Sequence, residues 1–135
     1  MKKTSFSILS DINLLEKVLD KIELFFAENG LKGDWIENLI IASSEIISNA
    51  MTHGNKGIKE IPVDIFINIQ PSLITMKIKD YGKGFNKDKI DDPLEEENLF
   101  KTRGRGILIT ESLIDSLEFE NQPDGTCAVI TKRIQ

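Results

Sequence analysis

Cysteine is nearly missing from this 135-residue chain. Cys127 stands alone, so no intrachain disulfide can form, and its apolar, strand-like setting reads as a small core residue in a reducing compartment. Histidine is equally scarce, with His53 the one example. No apolar run approaches the roughly 18 residues of a membrane span, and the opening MKKTSFSILSDIN has too short and too polar-broken an apolar stretch for a signal peptide. A cytoplasmic protein with no membrane contact is the expectation. Positive charge is in deficit, the net being −5, which argues against broad binding to nucleic acid or anionic membranes and leaves room only for a local basic patch. Familiar signatures are missing as well. There is no Gly-x4-Gly-Lys-Ser/Thr loop, no strand-linked Gly-x-Gly-x-x-Gly with an acid some twenty residues on, and none of the ordinary protein-kinase motifs.

What is present is clear periodicity. The length suits one domain, residues 1–135, able to bury roughly two-thirds of its unfolded surface. TSFSIL (4–9) reads as a strand. After Ser10 and Asp11, either able to cap a helix, Ile12, Leu15, Leu19, Ile22 and Phe26 recur at helical spacing, and Gly30 stops the run. A second helix is predicted from Asp34, with Glu37 in capping-box position, to Gly54. Ile61 to Gln70 then alternates apolar and polar residues. Ile74, Met76 and Ile78 do the same beyond a Pro71-Ser72 turn, so a hairpin with one buried face is expected. From Gly82 to Gly104 the pattern dissolves into polar and charged residues, a length more typical of a lid (83–103) than of a plain connection. GRGILITESLIDSL reads as a glycine-opened helix with Ile107, Leu108, Ile114 and Leu117 apolar, and EFENQPDGTCAVITK as strand, Asp124-Gly125 turn, strand. This order implies an α+β, two-layer sandwich with helices on one face of a mainly antiparallel sheet.

Asp80 shares parity with Ile74, Met76 and Ile78, so it points to the helix-covered side, where a carboxylate is costly unless something satisfies it. A strand-end aspartate bonded to a turn amide would suffice as explanation, were it not followed by Gly82 and Gly84, which permit close backbone approach. Glu45, Asn49 and His53 fall at i, i+4 and i+8 of the second helix. Either they form a solvated face, or they line a cavity while Glu37, Ser44, Ser48 and Thr52 face water. TRGRGIL (102–108) opens a helix with glycines, whose free amides suit an anion, or is simply a flexible loop.

In order and spacing these segments resemble one superfamily. SSEIISNAMTHGN is similar to the N box, KDYGKGF to the G1 box, TRGRGILIT to the G2 box and GTCAVITK to the closing Gly-Thr strand of the GHKL ATP-binding superfamily, shared by histidine kinases, type II topoisomerases and mismatch-repair ATPases. Within it the chain most resembles the stand-alone anti-sigma factor serine/threonine kinases. That resemblance implies ATP and Mg²⁺ as cofactors. It implies that Asp80 accepts a hydrogen bond from the adenine amino group, that Gly82 and Gly84 let the chain pass close to the nucleotide, and that Thr126 lies near the adenine. It makes Asn49 a nucleotide-binding magnesium ligand, Gly104, Arg105 and Gly106 the lid end that wraps the phosphates, and Glu45 the general base. The partners implied are an anti-anti-sigma factor as protein substrate, a sigma factor and a second copy in a homodimer, with no direct nucleic-acid contact. The alternative is a non-catalytic ATP-binding switch that sequesters a partner. His53, inside the N box, is not expected to be a phospho-acceptor.

Overall fold

Strict alternation builds the centre of the molecule. The computed structural model describes residues 2–82 and 108–134. Within it Ile65 faces Ile78 and Ile67 faces Met76 across the antiparallel pair β2 (Pro62–Ile69) and β3 (Leu73–Lys79), closed by a bond from the Gln70 amide to the Leu73 carbonyl. All four of these side chains are buried, each contributing about 1.5–3 kcal/mol through removal from water. β1 (Lys2–Leu9) pairs antiparallel outside β2, and β5 (Gly125–Arg133) pairs antiparallel with β3. β4 (Ser116–Gln122) closes the far edge, giving five strands in the order β1-β2-β3-β5-β4.

Two helices lie over the apolar face. α1 (Leu15–Glu28) contributes Val18, Ile22 and Phe26 to the core, and α2 (Asp34–Asn49) contributes Leu39, Ile46 and Ile47. The opposite face carries polar positions such as Asp64 and Lys77, so the protein is the expected α+β two-layer sandwich. α1 ends as Gly30 adopts φ +74°, with Gly30 N–H donating to the Ala27 carbonyl and Leu31 N–H to that of Phe26. A third helical segment, α3 (108–113), follows the stretch beyond Gly82.

Several local expectations are corrected. Ser10 caps no helix; its hydroxyl donates to the Ile61 carbonyl at 2.5 Å, while Asp11 caps a short 3₁₀ turn, Ile12–Leu14, leaving Ile12 exposed. The Asp34 and Glu37 capping box does not form, because Gly33 takes the N-cap position at φ +125° and Asp34 is already helical. α2 ends at Asn49 and runs into a π turn, Ala50–Gly54. The last helix stops at residue 113, so Leu117 lies on β4 opposite Ile130, and Leu108 is exposed. Register places the final hairpin turn at Pro123-Asp124, since Gln122 pairs with Gly125. The expected lid, 83–103, falls outside the described residues, as do Gly84, Arg103, Gly104, Arg105 and Gly106.

Candidate functional site

β3 and β5 run side by side, and the residue following β3 is Asp80. Its amide donates to the Thr126 carbonyl at 2.9 Å. Its Oδ1 accepts from the Thr126 amide at 3.2 Å and from the Gly82 amide at 3.1 Å, so the fold itself answers for one oxygen of this 7% exposed carboxylate. The structure thus brings Asp80, Gly82 and Thr126 together.

Glycines make that convergence sterically possible. A Cβ on Gly54 would stand 2.2 Å from Asp80 Oδ2, one on Gly125 1.9 Å from the Asp80 carbonyl oxygen, and one on Gly82 1.6 Å from the Gly54 carbonyl oxygen. Gly54 therefore packs on the Asp80 carboxylate, Gly125 on the Asp80 main chain and Gly82 on the Gly54 carbonyl, with no space for a side chain at any of the three. Gly54 reaches this point because the π turn widens the end of α2, a departure from regular helix that recurs at functional sites. Gly54 and Gly125 were not expected in this role. Each sits where a glycine also reads as a helix stop or a hairpin turn, so its sequence signal is masked.

Asn55 is the second unexpected member. Buried to 1% exposure, it accepts through Oδ1 from the Tyr81 amide at 2.8 Å and donates through Nδ2 to Ser10 Oγ at 2.9 Å and the Pro62 carbonyl at 3.0 Å. Tyr81 points to the opposite face of the sheet and donates its hydroxyl to Asp64, which also accepts from Ser7. That bond to Asp64, with partial desolvation and the carboxylate charge, pushes the phenol up to about 12.

Glu45 and Asn49 stand one turn apart on α2, a rise of about 6 Å, and both are half-buried. Glu45 lines a cavity of about 300 Å³ between the helices, with Leu19 of α1, Ile40, Ile41 and Ser44 of α2, and Ile109 and Thr110 of α3. The stripe does not continue regularly to His53, which lies within the π turn.

The chemistry of the donor set is compatible with a nucleotide and a hard cation. Among the described residues no three His, Cys, Asp or Glu side chains converge on a metal position. The amide oxygen of Asn49 suits a magnesium ion whose other ligands are phosphate and water, the usual way this ion is held. The Asp80 carboxylate, anchored by backbone amides and with Gly54 packed against it, suits a flat donor-bearing ring.

Residues 8–132 match the family described as the histidine kinase-like ATPase domain. The anti-sigma F factor of Bacillus thuringiensis (strain Al Hakam) is 28% identical over 130 residues, covering 94% of this chain and 88% of the relative. That of Bacillus cytotoxicus is similar to the same extent. A crystal structure of the RsbU and RsbW domains of a Mycobacterium tuberculosis protein superposes with a TM-score of 0.73 at 18% identity, over 99% of this chain and 32% of the other. A histidine kinase domain from an Erythrobacter litoralis blue-light activated histidine kinase gives 0.53 at 20% identity, over 72% of this chain and 43% of the other. The structural likenesses are likenesses of fold.

Proposed function

Because this chain belongs to the histidine kinase-like ATPase domain family, we propose that it is a Mg-ATP-dependent serine/threonine protein kinase that acts as an anti-sigma factor, phosphorylating an anti-anti-sigma partner in a partner-switching system. The observation that supports the nucleotide part is the Asp80 cradle, a carboxylate held by the Gly82 and Thr126 amides with Gly54 packed against it. The regulatory part rests on similarity to anti-sigma F factors along 94% of the chain.

In this reading Asp80 accepts the adenine amino group, with Thr126 beside it. Asn49 offers its amide oxygen to magnesium, and the segment Gly104, Arg105, Gly106 wraps the phosphates. ATP supplies the phosphoryl group and leaves as ADP. Glu45 takes the proton of the partner's serine or threonine hydroxyl as that oxygen bonds to phosphorus, a role its helical-turn separation from Asn49 permits. The chain acts as one domain, as a homodimer and in the cytoplasm. No helix among the described residues is long and apolar enough to cross a membrane.

The test is to mix the protein with labelled ATP and an anti-anti-sigma candidate encoded beside it. An acid-stable phosphoester on that partner's serine or threonine is expected. ATP binding with no transfer to the physiological partner would overturn the kinase reading in favour of a non-catalytic switch.

A further inference from the structure

The Asp80 cradle is assembled from chain segments distant in sequence, and its dimensions leave almost no slack: the Gly54 carbonyl lies where a Cβ of Gly82 would be, and Gly54 itself abuts the Asp80 carboxylate. Something must hold the segment after β3 against the π turn. Main-chain bonds do part of this, with Asp80 N–H on the Thr126 carbonyl and the Gly82 amide on Asp80 itself. Those tie the segment to β5 and to itself, whereas the bond from Tyr81 N–H to Asn55 Oδ1 ties it to the α2 side.

We propose that Asn55 is a positioning residue for the nucleotide site: its carboxamide clamps the Tyr81–Gly82 backbone to the Ala50–Gly54 turn and so sets the Asp80 carboxylate. This rests on the reading of the cradle as the adenine site. The chemistry of the side chain is specific. Oδ1 must accept, from Tyr81, and Nδ2 must donate, to Ser10 Oγ and the Pro62 carbonyl with the Ile61 carbonyl at 3.4 Å. A carboxamide offers an acceptor oxygen and a separate nitrogen with two hydrogens to donate, whereas a hydroxyl of similar size has one hydrogen and one atom for every contact. Aspartate keeps the acceptor but sets a carboxylate against carbonyl oxygens, and alanine orphans the Tyr81 amide. Glutamine adds a methylene where Asn55 is already 1% exposed. The backbone of Asn55 is fixed in turn, its N–H donating to the Ala50 carbonyl at 2.8 Å, so the clamp has a rigid base. Ser10 and Pro62 give it a second footing at the β1 and β2 ends.

The experiment compares Asn55→Asp and Asn55→Ala with Ile22→Val, a core substitution in α1 that lowers stability without touching the cradle. ATP and GTP affinities are measured by calorimetric titration, and amide hydrogen exchange at Tyr81 and Gly82 is followed without nucleotide. Expected are a loss of ATP affinity of about tenfold or more in both Asn55 variants, a smaller ratio of ATP to GTP affinity, and faster exchange at Tyr81. Ile22→Val should keep the wild-type affinity and ratio. Folded Asn55 variants that bind ATP within twofold of wild type, with an unchanged ratio, overturn the proposal. So does unchanged protection at Tyr81, an outcome readable even in a variant too unstable for titration if exchange is followed below its melting point. Should the wild-type protein itself bind no ATP, the adenine reading fails. Exchange at Tyr81 then still decides whether Asn55 holds that backbone.

Discussion

Asp80 is the residue whose chemistry decides most. In the proposed adenine site the amino donor facing Asp80 is replaced by a carbonyl oxygen in guanine, and a charge-assisted bond of about 1.5–3 kcal/mol corresponds to roughly 10- to 100-fold in affinity. ATP should therefore be preferred to GTP by that margin, and Asp80→Asn should lose it while remaining folded; titration with the two nucleotides provides the measurement. Glu45 and Asn49 should separate binding from chemistry. Glu45→Ala is expected to retain ATP affinity and lose phosphotransfer by roughly 10²- to 10⁴-fold, whereas Asn49→Ala should weaken magnesium-dependent nucleotide binding itself. Full transfer activity in Glu45→Ala would remove the general-base role. Tyr81 allows a direct titration because it is the sole tyrosine. Its neutral hydroxyl is the donor to Asp64, so the bond stabilises the fold in full below about pH 10, the ordinary phenol value, and is lost as pH rises through the folded value of about 12. Tyrosinate absorbance should show a midpoint near 12 in the native protein, and Asp64→Asn should lower it.

Elements differ in how openly the sequence declares them. The β2-β3 hairpin was legible because one face is buried, and a one-residue slip would turn Ile65, Ile67, Met76 and Ile78 outward. The end of α1 was legible because only an αL residue makes that stop, and Gly30→Ala should cost about 1 kcal/mol in a denaturation experiment. The end of α3 was not. Leu113 and Leu117 are spaced for a helix, yet β5 has an edge to be paired, and Asp115 turns the chain into it by donating its amide to Thr131 and accepting from the Arg133 amide at 2.6 Å. Tertiary pairing won over local periodicity. Around the cradle, the inward side of Asp80 was legible from parity and Gly82 from the glycine spacing after it, Thr126 came only from the family resemblance, and Asn55 was hidden because its partners Ser10, Pro62 and Tyr81 are scattered along the chain. Gly125 shows how a turn-like residue can serve a different end. Gly125→Ala would set its Cβ against the Asp80 carbonyl oxygen, a main-chain atom with little freedom to shift, and should destabilise the protein by about 1–3 kcal/mol in chemical denaturation.

For the molecule as a whole, Cys127 is a built-in reporter. It is buried at 4% exposure, and desolvation raises its thiol further from the reactive thiolate. Labelling by a thiol reagent should be slower in the native state than in denaturant by at least a hundredfold, on the order set by opening of the sheet. Rapid native labelling would mean that β5 opens locally. The strand order has a consequence of a different kind, in time rather than in space. β5 joins β3 only after the chain has travelled out through β4, and the bond from Thr126 to Asp80 spans 46 residues. Closing a loop of that length costs entropy before any contact repays it, so the β2-β3 hairpin can form early while the cradle cannot. A newly made chain acquires its carboxylate pocket among the last of its features, and the capacity to hold nucleotide marks a molecule that has finished folding.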